Sequence, residues 1–541
     1  MTAIQSFDLG SLTLRERLAQ LMVVRLGSDI PPVRTADDDA ERIGRLLAEC
    51  PVGGLLLFNG RHATTPSVLA GLQAASRVPL LVMADVERGY GQQLRPWPLM
   101  PHAMAFERLG GGAAEAVREF GELTAVAARR AGVHVINAPV ADVHSDPANP
   151  IIATRAFSSD PARAGDLAAA FVAGSAAGGG LAVAKHFPGH GDTREDSHHA
   201  LPAVTVSADV LDARELVPFR AAVAAAVPLI MTAHVRYPAL DPDHVPATLS
   251  GSMLQNLLRR RMGFVGAVVS DSLLMAGVRG LAASEGELCL RSLLAGVDIL
   301  LDVAQPAEAV AALEAAVHEG RLPAARVDVA VARVLDLKRR AWDPAAGAAS
   351  RFATFSEPDL RAATQALADR VAGAALEVCD PRKLLPLDPL RPLVAVLVNP
   401  YRSHIDPAEP PLATELKAGF SSFECIEVRG DESPPAWESV TARCLAAEQV
   451  LVAVVIKPAA WHRFGLTAEA TRWLSELTAR RPVVLASLGG PLSRDRAAAL
   501  IVAWSDVAAS QRAVGRVIQP AVTHPASTEP EPESDSPATL G

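Results

Sequence analysis

The sequence predicts an α/β chain: a (β/α)8 TIM-like barrel followed by a smaller doubly wound α/β sandwich domain. Three observations predict it. Eight short apolar runs alternate with alanine-rich amphipathic stretches through the first part of the chain. The runs are almost continuously apolar, as parallel strands covered by helices on the outside must be. Polar side chains recur at the C-terminal ends of the runs, the face on which barrel sites assemble. The 541 residues suffice for two or three domains, and with half of them hydrophobic and 21% charged a large core is available and wholesale disorder is excluded.

The eight runs are 21–26, 52–58, 79–85, 133–140, 181–186, 229–234, 267–271 and 298–303. Between them, helical periodicity predicts helices that include 37–50, 113–130, 161–177, 250–262 and 306–319. Eight such units within residues 1–342 fit a closed barrel better than an open sheet. Residues 343–378 read as a linker (DPAAGAAS, 343–350) and a helix near 358–376. A second α/β pattern spans 379–519, with strands near 393–398, 423–428, 450–456, 483–488 and 501–504 and helices near 412–419, 436–447, 468–479 and 508–517. The tail 520–541, rich in Pro, Ser and Glu, is expected to be disordered.

Charge and cysteine content exclude several function classes. The net charge is −9 and no basic block stands out, which argues against a nucleic-acid partner. The five cysteines are scattered without a CxxC spacing, so neither a disulfide scaffold nor a thiolate zinc site is expected, and a reducing compartment suits them. The N-terminal stretch shows no secretory signal pattern, and no apolar run reaches the roughly 20 residues of a membrane span. The expectation is a cytoplasmic protein with no membrane partner. Of the 51 basic residues only five are lysines, at 185, 338, 383, 417 and 457, so a lysine inside an apolar strand asks for a reason.

Polar residues close four of the runs: Asp85, Lys185 with His186, His234, and Asp271. Any one of them is explained by the need of a strand to end in something polar. Four directed at one rim suggest a site. The fifth run opens into KHFPGHGDTREDSHHALP (185–202), a Gly- and Pro-bearing loop that carries four of the 14 histidines. A zinc site is disfavoured, because Pro188 and Gly189 destroy the helical spacing between His186 and His190 and no Glu follows the first histidine. No metal or organic cofactor is implied. Asp196 and His198 form an Asp-x-His pair, which alone is often ordinary loop polarity. In this loop it is a candidate acid/base couple, since a carboxylate on one imidazole nitrogen fixes the tautomer and raises the histidine pKa. Asp271 ends the seventh run in GAVVSDSLLMAG (266–277). It is either a cap of the next helix or a nucleophile pointing into the barrel mouth. A nucleophilic carboxylate facing a proton donor matches the retaining glycosidase scheme, with histidine in place of the usual carboxylic acid.

The segment KHFPGHGDTREDSHHALP closely resembles the signature of glycoside hydrolase family 3, in its β-N-acetylglucosaminidase branch. The likeness continues through LRERLAQLMVVRLG (15–28), VGGLLLFNG (52–60), MADVERGYGQQ (83–93), APVADVHSDPANPIIATRAF (138–157), LIMTAHVRYPALD (229–241) and VVSDSLLMAGV (268–278), covering about residues 12–340; the second domain resembles, more weakly, the C-terminal sandwich of some members. The resemblance implies Asp271 as nucleophile and Asp196 with His198 as the acid/base dyad. It implies Asp85, Arg155, Lys185 and His186 as sugar-binding residues. The implied activity is that of a retaining exo-β-N-acetylglucosaminidase acting on terminal non-reducing β-linked N-acetylhexosamine. Its substrate would be an N-acetylglucosamine-containing glycoside or muropeptide, in cytoplasmic recycling of cell-wall sugars. Phosphorolysis instead of hydrolysis stays open, because a neutral histidine repels phosphate less than a carboxylate does. The alternatives are a β-glucosidase or β-xylosidase of the same family, whose acid usually comes from elsewhere, and a non-catalytic sugar-binding protein.

Two positions depart from the family pattern. Gln93 stands where single-domain bacterial relatives typically have arginine, which puts one contact beyond the first sugar in doubt, and Ser272 follows Asp271 where many relatives have a second aspartate. The remaining polar residues carry plainer readings. His190 is expected to hold the loop, and Asp142 to support the segment after the fourth run. His234 either lines the site or is a hydrogen-bonded rim histidine. Tyr90 and Trp97 either stack on a sugar or are buried.

Overall fold

The structure, a computed structural model, describes residues 8–193, 201–402, 406–458, 464–492 and 497–520. The eight apolar runs form eight parallel strands: β1 (Met22–Leu26), β2 (Gly54–Leu57), β3 (Leu81–Ala84), β4 (Val135–Ile136), β5 (Leu181–Phe187), β6 (Leu229–Thr232), β7 (Ala267–Val269) and β8 (Leu300–Leu301). They pair in the order β8-β1-β2-β3-β4-β5-β6-β7. A parallel bridge between Val269 and Ile299 brings the last strand back to β8 and nearly closes the cylinder. This is the predicted barrel. Except for β5, which runs one residue past its apolar run, the strands are shorter than the runs, because the ladder takes only the residues that reach the next strand in register.

The outer helices start where the chain supplies caps. Thr35 and Asp38 form a capping box on helix Ala36–Glu49, and Asp160 with Pro161 opens helix Pro161–Ala177. That helix packs against Ala113–Arg130 at a distance only glycine permits: a Cβ on Gly174 would lie 2.0 Å from the Arg118 carbonyl oxygen. Among the described residues no helix is long and apolar enough to cross a membrane.

The second sheet has six strands: β9 (Glu377–Cys379), β10 (Leu393–Val398), β11 (Phe423–Val428), β12 (Gln449–Ile456), β13 (Val484–Gly489) and β14 (Ala499–Val502). Their order is β9-β14-β13-β12-β10-β11, parallel except for β9, which runs antiparallel along β14. The sheet is therefore mixed rather than wholly parallel. Strand β9 is short and largely exposed, so it lacks the apolar run that marks the others. Side chains alternate between the two faces of this sheet. Val394, Val396 and Val398 share one core with Trp437 and Trp473, while Leu393, Ala395 and Leu397 pack with Leu416 and Val514 in another. The first of these cores is continuous with the barrel core. Helix Glu357–Ala374 links the two parts, packing on both Ala113–Arg130 and Ala508–Ile518. Residues 521–541, most of the tail expected to be disordered, lie outside the described residues.

Two buried charges mark the end of the barrel away from the rim. Asp298, fully buried, accepts from Val268 N (3.0 Å) and pairs with Arg259 (2.7 Å), Arg326 (3.1 Å) and Arg333 (3.0 Å). It thereby ties β7, the start of β8 and helix Ala324–Ala341 at the seam where the cylinder closes. Lys338 on that helix is buried as well. Its ammonium donates to the Gln20 amide oxygen, and burial pushes its pKa down to about 7.

Removing one partner of a buried charge cluster leaves the others uncompensated, so Asp298→Ala should lose roughly 3–5 kcal/mol in chemical denaturation. For Lys338 the unfolded chain keeps a pKa of about 10.4. Between pH 7 and that value the unfolded state binds the extra proton, and wild-type stability gains as pH rises. Lys338→Met removes this term. Its stability advantage over wild type should be greatest near pH 7 and narrow toward pH 10 in paired unfolding titrations.

Candidate active site

A cavity of about 620 Å³ opens at the C-terminal ends of the barrel strands, within the size range of small-ligand sites. Asp85, Arg155, Lys185, His186 and Asp271 all line it. Five of the seven residues singled out in the sequence thus come together from β3, the segment after β4, β5 and β7. The other two, Asp196 and His198, lie outside the described residues.

One wall is a charge network around the buried Lys185. Asp85 leaves β3, and two residues on is Glu87, which the sequence reading did not single out. Arg155 meets Glu87 with two parallel bonds, Nε to Oε2 and Nη2 to Oε1, both 2.8 Å. Lys185 Nζ pairs with Glu87 Oε1 at 2.7 Å and donates to Asp85 Oδ1 at 3.1 Å. Burial opposes the Glu87 charge, but Arg155 and Lys185 outweigh it and hold the carboxyl well below the usual carboxylate range. Burial likewise opposes the Lys185 ammonium, and Asp85 and Glu87 raise it above its ordinary value. Glu87 and Lys185 are thus held in their charged forms. The scarce lysine inside β5 has its reason: two cations and two carboxylates neutralise one another under the cavity. The signal for Glu87 was the second acid of DVERG, legible only once Arg155 and Lys185 are known to reach it.

A second buried acid sets the start of the loop after β5. Asp142 accepts from His186 N (3.2 Å), His186 Nδ1 (2.7 Å) and His190 N (2.7 Å). Asn149 Nδ2 donates to the carbonyls of His190 and Gly191 at 2.9 Å each. Tyr237 donates its hydroxyl to the Gly189 carbonyl. Gly191 lies against Val143, whose carbonyl oxygen would be 1.6 Å from any Cβ there. Burial, aided by His186, pushes His190 down to about 4, so it is neutral around pH 7. Arg214 bridges Asp192 (2.6 Å) and buried Glu215 (2.7 Å), whose carboxyl burial pushes up to about 7. The loop is therefore bolted to the barrel as far as residue 193.

Asp271 follows β7 on the opposite wall. Ser272 fixes the adjoining backbone with all its polar groups: its N–H donates to Asp271 Oδ1 (2.7 Å), its hydroxyl donates to Asp302 Oδ2 (2.7 Å), and its carbonyl accepts from His234 Nε2 (3.0 Å). Asp302 is held in turn by Arg25, Nε to Oδ1 at 3.0 Å. Ser272 thus fits beside a carboxylate that a second aspartate at 272 would repel. His234 is fully buried in these contacts and does not line the cavity.

Gln93 is buried and spans two backbone groups, accepting from Asn59 N (3.3 Å) and donating to the Asp85 carbonyl (3.2 Å). It supports the strand end rather than lining the cavity. Tyr90 and Trp97 pack edge to face with each other at 5.2 Å, and Tyr90 bonds His62. The C-terminal part also reaches the cavity, through Lys457 and Pro458. Among the described residues no group of three or more His, Cys, Asp or Glu side chains is placed to hold a metal ion.

The family model described as the glycosyl hydrolase family 3 N terminal domain matches residues 13–337. A beta-N-acetylglucosaminidase/beta-glucosidase of Cellulomonas fimi is 32% identical over 349 residues, 62% of this chain and 61% of that protein. Beta-hexosaminidase A of Pseudoalteromonas piscicida is 31% identical over 59% of this chain and 58% of its own length. The chain thus spans about three fifths of each of these two. A beta-hexosaminidase of Pseudomonas aeruginosa (strain LESB58) is 38% identical over 50% of this chain and 81% of its own. A solved glycoside hydrolase family 3 beta-N-acetylglucosaminidase from Paenibacillus sp. str. FPU-7 superposes with a TM-score of 0.82 at 29% identity, covering 94% of this chain and 96% of that one. With three fifths of its length inside the family's domain and a barrel built to match, the chain belongs to glycosyl hydrolase family 3.

Proposed function

We propose that the protein is a retaining exo-β-N-acetylglucosaminidase that releases terminal non-reducing β-linked N-acetylhexosamine. The observation that carries the reading is the convergence of Asp85, Arg155, Lys185, His186 and Asp271 on one cavity. The names of the relatives at 31–38% identity support the choice of sugar.

In this mechanism Asp271 attacks the anomeric carbon while His198, oriented by Asp196, gives its proton to the leaving oxygen. Asp271 is then esterified to the sugar. His198 next takes a proton from water, the water oxygen bonds the anomeric carbon, and Asp271 leaves as carboxylate. Asp85 accepts from sugar hydroxyls, and Arg155, Lys185 and His186 donate to them. Because Asp85, Arg155 and Lys185 are already paired within one network and His186 is held by Asp142, little reorganisation remains when the sugar binds. The substrate is an N-acetylglucosamine-containing glycoside or muropeptide, and the setting is cytoplasmic recycling of cell-wall sugars. Five free thiols suit a reducing compartment. The Cellulomonas fimi relative's double name keeps β-glucosidase as the second reading.

Asp271→Ala and His198→Ala should each lower kcat on a chromogenic N-acetylglucosaminide by several orders of magnitude. Near-wild-type turnover in either removes that residue from the mechanism. Of aryl glycosides differing only at C2, the N-acetylamino compound should be turned over fastest; a faster glucoside favours the second reading. Glu87→Gln should lower kcat/KM by about 10- to 100-fold, mostly through KM, because Arg155 and Lys185 lose their shared partner. Steady-state kinetics on a variant of native circular dichroism checks it.

A further inference from the structure

Beside the sugar cavity a second hollow of about 730 Å³ lies between the barrel rim and the C-terminal sheet, and Arg88, Gln92 and Lys457 line both. Asp506, on the turn after β14, lines the hollow, and His102, 3.8 Å away, lines the sugar cavity. Asp506 Oδ2 accepts from the Lys457 ammonium at 2.6 Å. Its Oδ1 is buried and accepts no hydrogen bond; it lies 3.5 Å from Arg88 Nη1 and 3.8 Å from His102 Nε2. Burial opposes the Asp506 charge, but Lys457 and Arg88 outweigh it and hold the carboxyl well below the usual carboxylate range. The turn that carries it is well seated. The Trp504 ring takes the Arg108 guanidinium at 4.1 Å and its indole N–H donates to Glu377 at 3.1 Å. Ser505 is fully buried, and the Gln511 amide donates to the Asp506 carbonyl at 2.7 Å.

Both barrel residues beside Asp506 flank the Glu87–Arg155 pair of the cavity wall. Arg88 follows Glu87 in the chain. His102 Nδ1 bonds the hydroxyl of buried Thr154 at 2.7 Å, and Thr154 precedes Arg155. One carboxylate of the C-terminal domain thus braces the pair from both sides. The segment of Arg155 needs a brace, because Ala153 is held at φ +38°, a left-handed conformation that a Cβ disfavours. Burial pushes His102 down to about 3 against the pull of Asp506, so the imidazole is neutral around pH 7. A neutral imidazole carries one N–H. A carboxylate facing Nε2 favours the proton there, which leaves Nδ1 to accept from the Thr154 hydroxyl.

Resting on the glycosidase reading, we propose that Asp506 is a positioning residue of the sugar cavity, which fixes the Glu87–Arg155 pair from the C-terminal domain through Arg88 and through His102 with Thr154. It does so without touching the sugar. Both routes shape the wall that holds the sugar hydroxyls and not the reacting atoms, so they act on bound substrate and transition state alike. Loss of Asp506 therefore appears in KM, with kcat nearly kept. A merely structural role predicts the reverse: a smaller folded fraction lowers the apparent kcat and leaves KM where it was.

The test uses the full chain, with kinetics on a chromogenic N-acetylglucosaminide and calorimetry with free N-acetylglucosamine. Asp506→Asn keeps the shape and removes the charge. It should raise KM and the sugar Kd by about tenfold each, with kcat within about twofold of wild type. Thr154→Val removes only the hydroxyl and should raise both by about threefold. In the double variant the two factors should not multiply, because both substitutions cut the same route. Arg370→Ala breaks a different contact of the linking helix with the barrel, to Glu119 at 2.6 Å, and should leave KM unchanged. Unchanged KM and Kd in Asp506→Asn, a fall in kcat alone, or factors that multiply in the double variant would each overturn the assignment. So would an equal rise in KM in Arg370→Ala, which would mean that domain docking in general sets the wall. Should Asp506→Asn not fold, Asp506→Glu takes its place in the cycle and the same outcomes decide. Failure of the glycosidase reading shows separately, in wild type, as absence of turnover of a simple aryl N-acetylglucosaminide.

Discussion

Four mutually paired charges, with Lys185 buried among them, decide the geometry of the sugar cavity. Glu87 is gripped by Arg155 and Lys185, and Lys185 also binds Asp85. These residues come from the end of β3, the segment after β4 and the middle of β5, so no single element places them. A buried charge without its partner is costly, and the network exists only when all three elements are seated. The donors and acceptors that would meet a sugar are thus oriented before any sugar arrives. Asp142 applies the same logic next door: one buried carboxylate collects the His186 and His190 backbone and the His186 ring, and so aims the loop that leaves β5.

The opposite wall is built differently. Asp271 is placed through its neighbour, because Ser272 commits its amide, hydroxyl and carbonyl to Asp271, Asp302 and His234. The departure at Ser272 is matched by Asp302, which takes up the hydroxyl and is itself balanced by Arg25. Likewise the buried amide of Gln93 belongs to the backbone around Asp85 and Asn59. Both departures from the family pattern become local packing solutions once the neighbours are in view.

What the sequence made legible follows from range. Barrel strands were readable because a parallel strand buried on both faces needs an unbroken apolar run; helix 161–177 was readable to the residue because Asp160 and Pro161 mark its start, and helix 113–130 because of its alanine-rich amphipathic run. Asp85, Lys185, His186 and Asp271 stood out as polar ends of such runs. Glu87 did not, since its meaning depends on partners 68 and 98 residues away. The same holds for Asp506, which pairs with Lys457 in its own domain and with Arg88 across in the barrel. Strand β9 was missed because an exposed antiparallel edge carries no apolar signature.

The scarcity of lysine has a consequence for covalent chemistry. Lys185 and Lys338 are buried and bonded, and Lys457 is engaged by Asp506. Only Lys383 and Lys417 stand exposed on the surface. An acylating or cross-linking reagent would therefore find its exposed lysine targets in the C-terminal half alone. The Lys457 amine, bordering both hollows, would be the one whose labelling reports whether the cleft is filled.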